Sequence, residues 1–248
     1  MFINKYFVLK LMTLYLIGLG LSAKSLSLEA LEYLKKAEKI YLEKYTVDFP
    51  YKKEEIEKII RKKIEFLERE QVENEKIVDE SRKKDVVLFV YGSPLIATTH
   101  ISLILKCKKE KIKFKVLHNA SIIDAISETG LQIYKLGKTA SMPKWSERDK
   151  PESFVKIIQE NLKIKAHTLI LVDIGLDFQT ALQQLVNTTE KIKLDKIVVC
   201  SKLGTEEREI FYDKAEKLKQ GQVKSPFCFI IPSKLHFIEE EALKVLSN

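Results

Sequence analysis

The stretch Val86-Val87-Leu88-Phe89-Val90-Tyr91-Gly92-Ser93-Pro94 decides the fold class. Its first five residues are all apolar and lack the alternation of a half-exposed strand, which predicts a β-strand buried on both faces. Gly92-Ser93-Pro94 then predicts a sharp turn where the strand ends. Strands of this kind are typical of parallel sheets covered by helices, and the rest of the chain repeats the pattern.

Short apolar runs alternate with charge-rich stretches on both sides of this strand. The predicted strands are residues 14–17, 86–90, 114–117, 168–172, 196–200 and 227–231. The predicted helices, which have apolar residues at helical spacing, are residues 28–37, 101–109, 153–161, 178–188, 206–219 and 239–246. This alternation predicts an α/β protein with mainly parallel sheets.

Two domains are expected rather than one eight-fold barrel, although a chain of 248 residues has a suitable length for either. A stretch that contains Gly, Ser, Thr and Pro, residues 118–151, separates two series of strand–helix units. We therefore expect an N-terminal α/β domain at residues 12–117 and a C-terminal α/β domain at residues 118–248.

The N-terminus allows two interpretations. Residues 1–21 hold two lysines and a nearly continuous apolar run, as signal peptides do. They can also be an extension, residues 1–11, followed by a buried strand, residues 13–17, and a glycine turn. We favour the strand, because later strands need a first strand to pair with and Met12 offers a start codon. Lysines and glycines interrupt the run before about 20 apolar residues accumulate, so no transmembrane helix is expected.

Composition argues for a globular protein in a reducing compartment. Hydrophobic residues make up 45% and charged residues 31% of the chain, which excludes a disordered protein. The net charge is +8, but lysines are interspersed with glutamates and no Arg-rich motif occurs, so we expect a solvated surface and no direct nucleic-acid binding. Cys107, Cys200 and Cys228 form no CxxC motif and no Cys/His cluster, so we expect buried thiols, no metal and a cytoplasmic protein.

Five segments beside the predicted strands could carry chemistry. They are residues 17–21, 91–100, 118–126, 167–174 and 232–236. In the first, Gly18 and Gly20 permit either a close approach of backbone to a ligand or only a tight turn. In the second, Thr98 or Thr99 is a candidate helix cap, and His100 is a candidate catalytic residue or a packing residue.

The other segments carry equally ambiguous polar residues. Ser121 is a good helix cap, Asp173 either binds a ligand or caps a turn, and His236 follows the last strand. The chain has no phosphate loop, no GxSxG elbow and no HExxH motif, which argues against nucleotide triphosphatases and hydrolases.

These segments, in this order, resemble the diphthine synthases, members of the tetrapyrrole-methylase-like class of S-adenosylmethionine-dependent enzymes. The likeness spans nearly the whole chain from Met12. The matching motifs are Ala97-Thr98-Thr99-His100 (ATTH), His118-Asn119-Ala120-Ser121-Ile122 (HNASI), Gly130-Leu131-Gln132-Ile133-Tyr134 (GLQxY), His167-Thr168-Leu169 with Asp173-Ile174 (HTL…DI), and Leu235-His236 (LH).

The resemblance implies two α/β domains, with S-adenosylmethionine bound in the cleft between them, in a cytoplasmic homodimer. It also implies elongation factor 2 as the protein substrate, methylated on the amino group of a 3-amino-3-carboxypropyl histidine to give diphthine. The positions that match the family's cofactor contacts are Leu21, Ser93, Ile96, Ser121, Ile122, Val172, Leu203 and His236. One position departs from the pattern, because the family usually has Gly-Asp-Pro where this chain has Gly92-Ser93-Pro94.

The sequence identifies no catalytic residue, and Asp173 and His100 are only candidate bases. Two alternatives stay open, a methyltransferase of the same fold acting on a tetrapyrrole or ribosomal RNA, and a non-catalytic cofactor-binding relative. We expect Gly20, Ser121 and His236 to lie within reach of one ligand. We also expect Gly20→Val to block cofactor binding and leave the fold intact.

Overall fold

The computed structural model of the protein describes residues 12–189, 192 and 194–247, which divide into two compact units. The first unit comprises the chain up to Tyr45 together with Lys52–Asn119. The second comprises Thr46–Tyr51 together with the chain from Ala120 onwards. The predicted extension, residues 1–11, lies outside the described residues.

The first unit is a parallel sheet with helices between its strands. Its strand order is β3-β2-β4-β1-β5, and every neighbouring pair is parallel. The elements are β1 (Thr13–Gly18), α1 (Leu28–Lys36), β2 (Lys39–Glu43), α2 (Lys53–Ile60), β3 (Glu65–Leu67), α3 (Arg69–Glu73), α4 (Lys76–Glu80), β4 (Val86–Val90), α5 (Ile101–Lys109) and β5 (Lys113–Leu117).

The centre of this sheet is the buried pair β1 and β4. All five residues of β4 are fully buried, as the unbroken apolar run predicts, and β1 lies between β4 and β5. Leu14–Ile17 are buried, and at the start of the strand the Oδ1 of Asp85 accepts a hydrogen bond of 2.9 Å from the N–H of Thr13. The prediction of a buried strand at residues 13–17 is therefore confirmed.

The second unit is built on a mixed sheet of order β6-β7-β10-β8-β9. Its α-helices and strands are α6 (Ile122–Ala125), β6 (Ala140–Met142), α7 (Ser153–Lys163), β7 (Thr168–Val172), α8 (Phe178–Thr189), β8 (Ile197–Ser201), β9 (Glu209–Asp213), α9 (Ala215–Leu218), β10 (Phe227–Ile231) and α10 (Phe237–Leu246). Two short 3-10 helices, Ile126–Thr129 and Ile133–Lys135, lie between α6 and β6.

Strand direction in this second sheet differs from the predicted, mainly parallel arrangement. Only β6 and β7 pair in parallel, whereas β10 runs antiparallel to both β7 and β8, and β8 runs antiparallel to β9. The α/β fold class is confirmed, with one parallel and one mixed sheet. A buried strand such as Phe227–Ile231 is apolar on both faces in either direction, so its sequence does not reveal how it pairs.

The predicted helix at residues 206–219 is wrong. Glu209–Asp213 forms the edge strand β9, and only Ala215–Leu218 is helical. Phe211, Ala215 and Leu218 have helical spacing, but Ile210-Phe211-Tyr212 is β-branched and aromatic and pairs with β8. The three cysteines are buried and free, as expected, and Cys200 lies opposite Cys228 in the pairing of β8 with β10.

Candidate functional site

In the first unit, two glycine turns at the carboxyl ends of β1 and β4 are bonded to each other. The N–H of Gly20 donates to the carbonyl of Gly92 at 3.1 Å, and the N–H of Gly92 donates to the carbonyl of Gly20 at 3.0 Å. Both glycines have a φ near +70°, at +68° and +69°, which side-chain-bearing residues rarely adopt. The turns after these two strands therefore form one rigid piece of backbone.

Packing within the protein is what requires the glycines of the first turn. A Cβ on Gly18 would lie 2.5 Å from the carbonyl oxygen of Gly92, and a Cβ on Gly20 would lie 2.6 Å from the Cβ of Ser25. A larger residue at either position must move the backbone. This packing argues against the expectation that Gly20→Val leaves the fold intact.

Asn119 links the end of β5 to this pair of turns. Its side-chain amide donates to the carbonyl of Gly18 at 3.1 Å and to the carbonyl of Ser25 at 2.8 Å. The sequence analysis included Asn119 in the HNASI motif and in the candidate segment 118–126 but gave it no role of its own, although an Asn two residues after a strand of a parallel sheet is a signal for a side chain at the carboxyl edge.

Three of the predicted cofactor positions meet at this edge of the first sheet. Leu21 and Ser93 directly follow the mutually bonded Gly20 and Gly92, and both are buried. Ile96 lies on the same turn, where its N–H donates to the carbonyl of Ser93 at 3.1 Å, and its side chain is 41% exposed.

Ser93 has a partner that the sequence did not suggest. Its hydroxyl lies 3.1 Å from Nδ1 of His118, the first residue of the HNASI motif. His118 is exposed, whereas Ser93 is buried. Position 93 therefore joins the turn after β4 to the residue that follows β5.

His100 supports the turn after β4 and is not available as a base. It is buried, its Nδ1–H donates to the carbonyl of Pro94 at 3.0 Å, and its Nε2 accepts from the hydroxyl of Tyr45 at 3.1 Å. This assignment follows because a carbonyl can only accept. Burial lowers the pKa of His100 and so favours the neutral imidazole. Both ring nitrogens of that imidazole are used in hydrogen bonds within the protein. Thr98 makes no helix cap and instead donates to Pro94 at 2.7 Å.

In the second unit, Ser121 caps α6 as predicted. Its Oγ accepts from the N–H of Ile123 at 3.2 Å, and the carboxylate of Asp124 accepts from the N–H of Ser121 at 2.7 Å. The N–H of Ser121 and its hydroxyl, which donates to Asp124 at 2.9 Å, together lower the pKa of that carboxylate. Ile122, the first residue of the helix, is half-buried.

The turns after β7 and β8 carry the next two predicted positions. Val172 ends β7 and is half-buried, and Leu203 is buried in the turn after β8. Both strands run antiparallel to β10, so their carboxyl ends lie at the same edge of the sheet. Asp173 is exposed, and its carboxylate accepts from the N–H groups of Ile174 and Lys144 at 3.0 and 3.3 Å. The structure therefore uses Asp173 as a turn cap.

His236 lies at the opposite edge of this sheet. It follows β10, whose last residue, Ile231, pairs with Thr168 at the beginning of β7. The imidazole is exposed and caps α10, with Nδ1 accepting from the N–H of Ile238 at 3.4 Å. Because β10 is antiparallel, the structure does not bring His236 to the edge that carries Val172 and Leu203. That Gly20, Ser121 and His236 reach one ligand stays a prediction.

Glu239 is a buried charge that the sequence prediction missed. Its Oε1 accepts from the N–H of Gln132 at 3.0 Å and from Nε2 of His167 at 3.1 Å. Its Oε2 accepts from the N–H of His236 at 2.7 Å and from the ammonium of Lys135. Burial acts to raise the pKa of Glu239, but these four donors together lower it to about 2.

Within the described residues, no helix is long and apolar enough to cross a membrane. The same residues contain no group of three or more His, Cys, Asp or Glu side chains placed to hold a metal ion.

Comparison with known proteins identifies the family. The model of the tetrapyrrole (corrin/porphyrin) methylases matches residues 13–219. The diphthine synthase of Methanocaldococcus jannaschii is 39% identical over 94% of this chain and 98% of its own. The diphthine methyl ester synthase of Schizosaccharomyces pombe is 40% identical over 67% of this chain and 60% of its own.

A solved structure agrees with both the fold and the family. The crystal structure of a putative diphthine synthase from Entamoeba histolytica superposes with a TM-score of 0.86 at 30% identity, covering 96% of this chain and 99% of that one. The chain therefore belongs to the tetrapyrrole methylase family of S-adenosylmethionine-dependent methyltransferases, and within that family to the diphthine synthases.

Proposed function

We propose that this protein methylates the amino group of a 3-amino-3-carboxypropyl histidine on elongation factor 2, with S-adenosylmethionine as the methyl donor, to give diphthine. The observation that carries the proposal is the nearly full-length similarity to proteins named diphthine synthases. Three of the motifs that carry the resemblance also meet at one buried carboxylate, Glu239, which argues that they act as a unit.

The chemistry of the candidate positions suits this cofactor. When bound, S-adenosylmethionine supplies an electrophilic methyl group on a positively charged sulfur. None of the eight candidate positions is Lys or Arg, so no permanent cation among them repels that charge. Apolar side chains such as Val172 and Leu203 suit a flat adenine ring, and the exposed imidazole of His236 offers a polar contact at the other edge of the sheet. Two separate sets of contacts suit a cofactor with an adenosine end and an amino-acid end.

Catalysis in this proposal rests on orientation. Methyl transfer needs a neutral amine held in line with the methyl group, and correct placement alone lowers a barrier by up to about 7–11 kcal/mol. The bonded turns after β1 and β4 supply rigid backbone for that purpose. His100 and Asp173 are both engaged in hydrogen bonds to the protein, so we assign the amine's proton to solvent rather than to either of them.

Three finer points belong to the same proposal. In keeping with the resemblance we propose that the protein adds three methyl groups to the nitrogen, whereas the name of the fission yeast relative includes a methyl ester. We propose a homodimer, in keeping with the resemblance, which light scattering of the purified protein tests. We also place the reaction in the cytoplasm with elongation factor 2, and we propose no resident metal.

The deciding experiment mixes the protein, methyl-labelled S-adenosylmethionine and elongation factor 2 that carries the first-step modification. We expect label on elongation factor 2 and, by mass spectrometry, a gain of three methyl groups that mild alkali does not remove. Elongation factor 2 without the modification is the control and should stay unlabelled. Cofactor binding without transfer would overturn the proposal and indicate a non-catalytic relative, whereas an alkali-labile fourth methyl group would overturn only the number of methylations.

A further inference from the structure

The loop at residues 233–236, which ends at the candidate cofactor residue His236, is held by three side chains at three backbone positions. Nδ1 of His167 accepts from the N–H of Ser233 at 2.8 Å. The ammonium of Lys135 donates to the carbonyl of Lys234 at 2.8 Å, and Glu239 accepts from the N–H of His236 at 2.7 Å. Hydrogen bonds from three different side chains therefore fix the backbone conformation of the loop.

The three side chains that hold the loop are joined through Glu239. His167 and Glu239 are fully buried, and Lys135 reaches the carboxylate from the partly exposed side. Since the N–H of Ser233 donates to Nδ1 of His167, that nitrogen carries no proton, and Nε2–H must donate to Glu239. The network thus holds a neutral imidazole between a loop amide and a carboxylate, with one ammonium balancing one negative charge.

A buried carboxylate contributes little net stability to a fold. Removing an ion pair from water costs several kcal/mol per charge, and well-packed apolar residues often give equal or greater stability. Buried polar groups with every hydrogen bond satisfied do, however, specify a single conformation. In contrast to this fixed backbone, the imidazole of His236 is exposed, and no partner for its Nε2 is found among the described residues.

We propose that Glu239 is a positioning residue, whose buried carboxylate holds the loop at residues 233–236 in the conformation that binds the cofactor. The inference rests on the proposed function, because it takes His236 to be a cofactor contact. It assigns a role to the motif residues Gln132 and His167 and to Lys135, none of which is itself a candidate contact. Each of them binds Glu239 and thereby fixes where His236 stands.

The test is Glu239→Gln, which has almost the same shape but can accept on only one side. Whichever side receives the NH₂ group, two of the four donors lose their acceptor. We expect the Kd for S-adenosylmethionine, measured by calorimetry, to rise about tenfold, which corresponds to about 1.4 kcal/mol. We also expect faster hydrogen exchange at the amides of Ser233 and His236 in the cofactor-free protein.

Asn161→Asp is the matched control in the same unit. Asn161 is also buried, and it bonds to the N–H and carbonyl of Lys138 and to the hydroxyl of Thr168, none of which belongs to the loop. This isosteric change should lower the Tm of the second unit and leave the Kd within about twofold. If Asn161→Asp weakens cofactor binding as much as Glu239→Gln does, the effect is general destabilisation and the proposal is wrong.

Two further variants keep the outcomes distinct. His236→Asn removes the imidazole and retains a good helix cap, so it tests the contact itself. If His236→Asn binds the cofactor like the wild type, the loop is not part of the site and the inference fails. If the wild-type protein binds no S-adenosylmethionine, the proposed function fails instead. Should Glu239→Gln not fold, Lys135→Met replaces it, and unchanged binding and unchanged exchange at Ser233 and His236 in that variant would overturn the inference.

Discussion

At the residue scale, position 93 has a hydroxyl where the family usually has a carboxylate. Ser93 is buried and bonded to His118, so a larger acid there would meet an existing partner. Having Ser rather than Asp at position 93 therefore affects the hydrogen bond to His118 as well as the charge of the turn.

We predict that Ser93→Asp tightens S-adenosylmethionine binding about fivefold. A hydrogen bond to a charged group is worth roughly 1 kcal/mol more than a neutral one, which corresponds to about that factor. Calorimetry at low and high salt should show a smaller gain at high salt, because ions screen the added charge. The control Ser93→Asn adds similar bulk without charge and should give no gain. Equal or weaker binding by Ser93→Asp would mean that another group already supplies the missing charge.

Gly20 allows a second residue-scale prediction, with Gly175 as its control. Both have positive φ, at +68° and +71°, but a Cβ on Gly175 would meet nothing within 4 Å. Gly175→Ala should lower the free energy of unfolding by about 1–2 kcal/mol, the cost of the left-handed conformation. Gly20→Ala should cost about 1–3 kcal/mol more, because its Cβ would overlap Ser25. Urea unfolding of both variants measures the difference, and equal losses would show that the first turn has room for a side chain.

At the element scale, a strand was predictable where its residues form an unbroken apolar run, whereas the internal strand Lys39–Glu43, which begins and ends with a charged residue, was missed. The runs at β4, β7 and β10 were predicted with the bounds that the structure shows. The short edge strand Glu65–Leu67 has two exposed residues, so it leaves no apolar run to recognise. Direction was not predictable either, because pairing depends on residues far away in the chain, as the antiparallel β10 illustrates.

The link from β5 to the turn after β1 gives an element-scale prediction. Asn119→Ala removes two hydrogen bonds to carbonyls, each worth about 0.5–1.5 kcal/mol. The free energy of unfolding should therefore fall by about 1–3 kcal/mol. Amide exchange at Leu19 and Gly20 should become faster. Asn74→Ala, an exposed position in the same unit, is the control and should cost less than about 1 kcal/mol. A loss no larger at Asn119 than at Asn74 would show that backbone bonds alone hold the two turns together.

At the scale of the whole molecule, the sequence motifs predicted the family and the helix cap at Ser121, but not the geometry that joins the motifs. Glu239 lies in no motif and is expected on a helix surface, yet it accepts bonds from three separate segments of the second unit. Only tertiary structure can bring Gln132 and His167 to the same carboxylate. The same reason explains why His100, which its sequence context presents as a candidate base, is a buried support for a turn.

The buried network also predicts how stability depends on pH. The pKa of Glu239 is about 2 in the folded protein and about 4.5 when unfolded, and burial lowers the pKa of His167. In both cases the unfolded state binds its proton at a higher pH than the folded state does. The contribution of these groups to the free energy of unfolding is therefore fully present at neutral pH and is lost on acidification. The loss begins below about pH 6.5 through His167 and continues below about pH 4.5 through Glu239.

Urea unfolding between about pH 7 and pH 3 measures this loss, followed by fluorescence of Trp145, the chain's single tryptophan, which lies in the second unit. Glu239→Gln is the comparison, because it retains the other acids. We expect the stability difference between the two proteins to shrink as pH falls below about 4.5. A difference that stays constant down to pH 3 would contradict the assignment of an ionised Glu239.

The position of β1 in its sheet has a consequence for how the protein is made. Its neighbours β4 and β5 begin at Val86 and Lys113, so β1 can complete neither of its pairings until most of the first unit has been translated. Translation adds about 5–20 residues per second. The apolar run Leu14-Tyr15-Leu16-Ile17 therefore stays unpaired in the nascent chain for several seconds or more. The strand that later lies between β4 and β5 is thus, during synthesis, an exposed apolar segment of the kind that chaperones protect from aggregation.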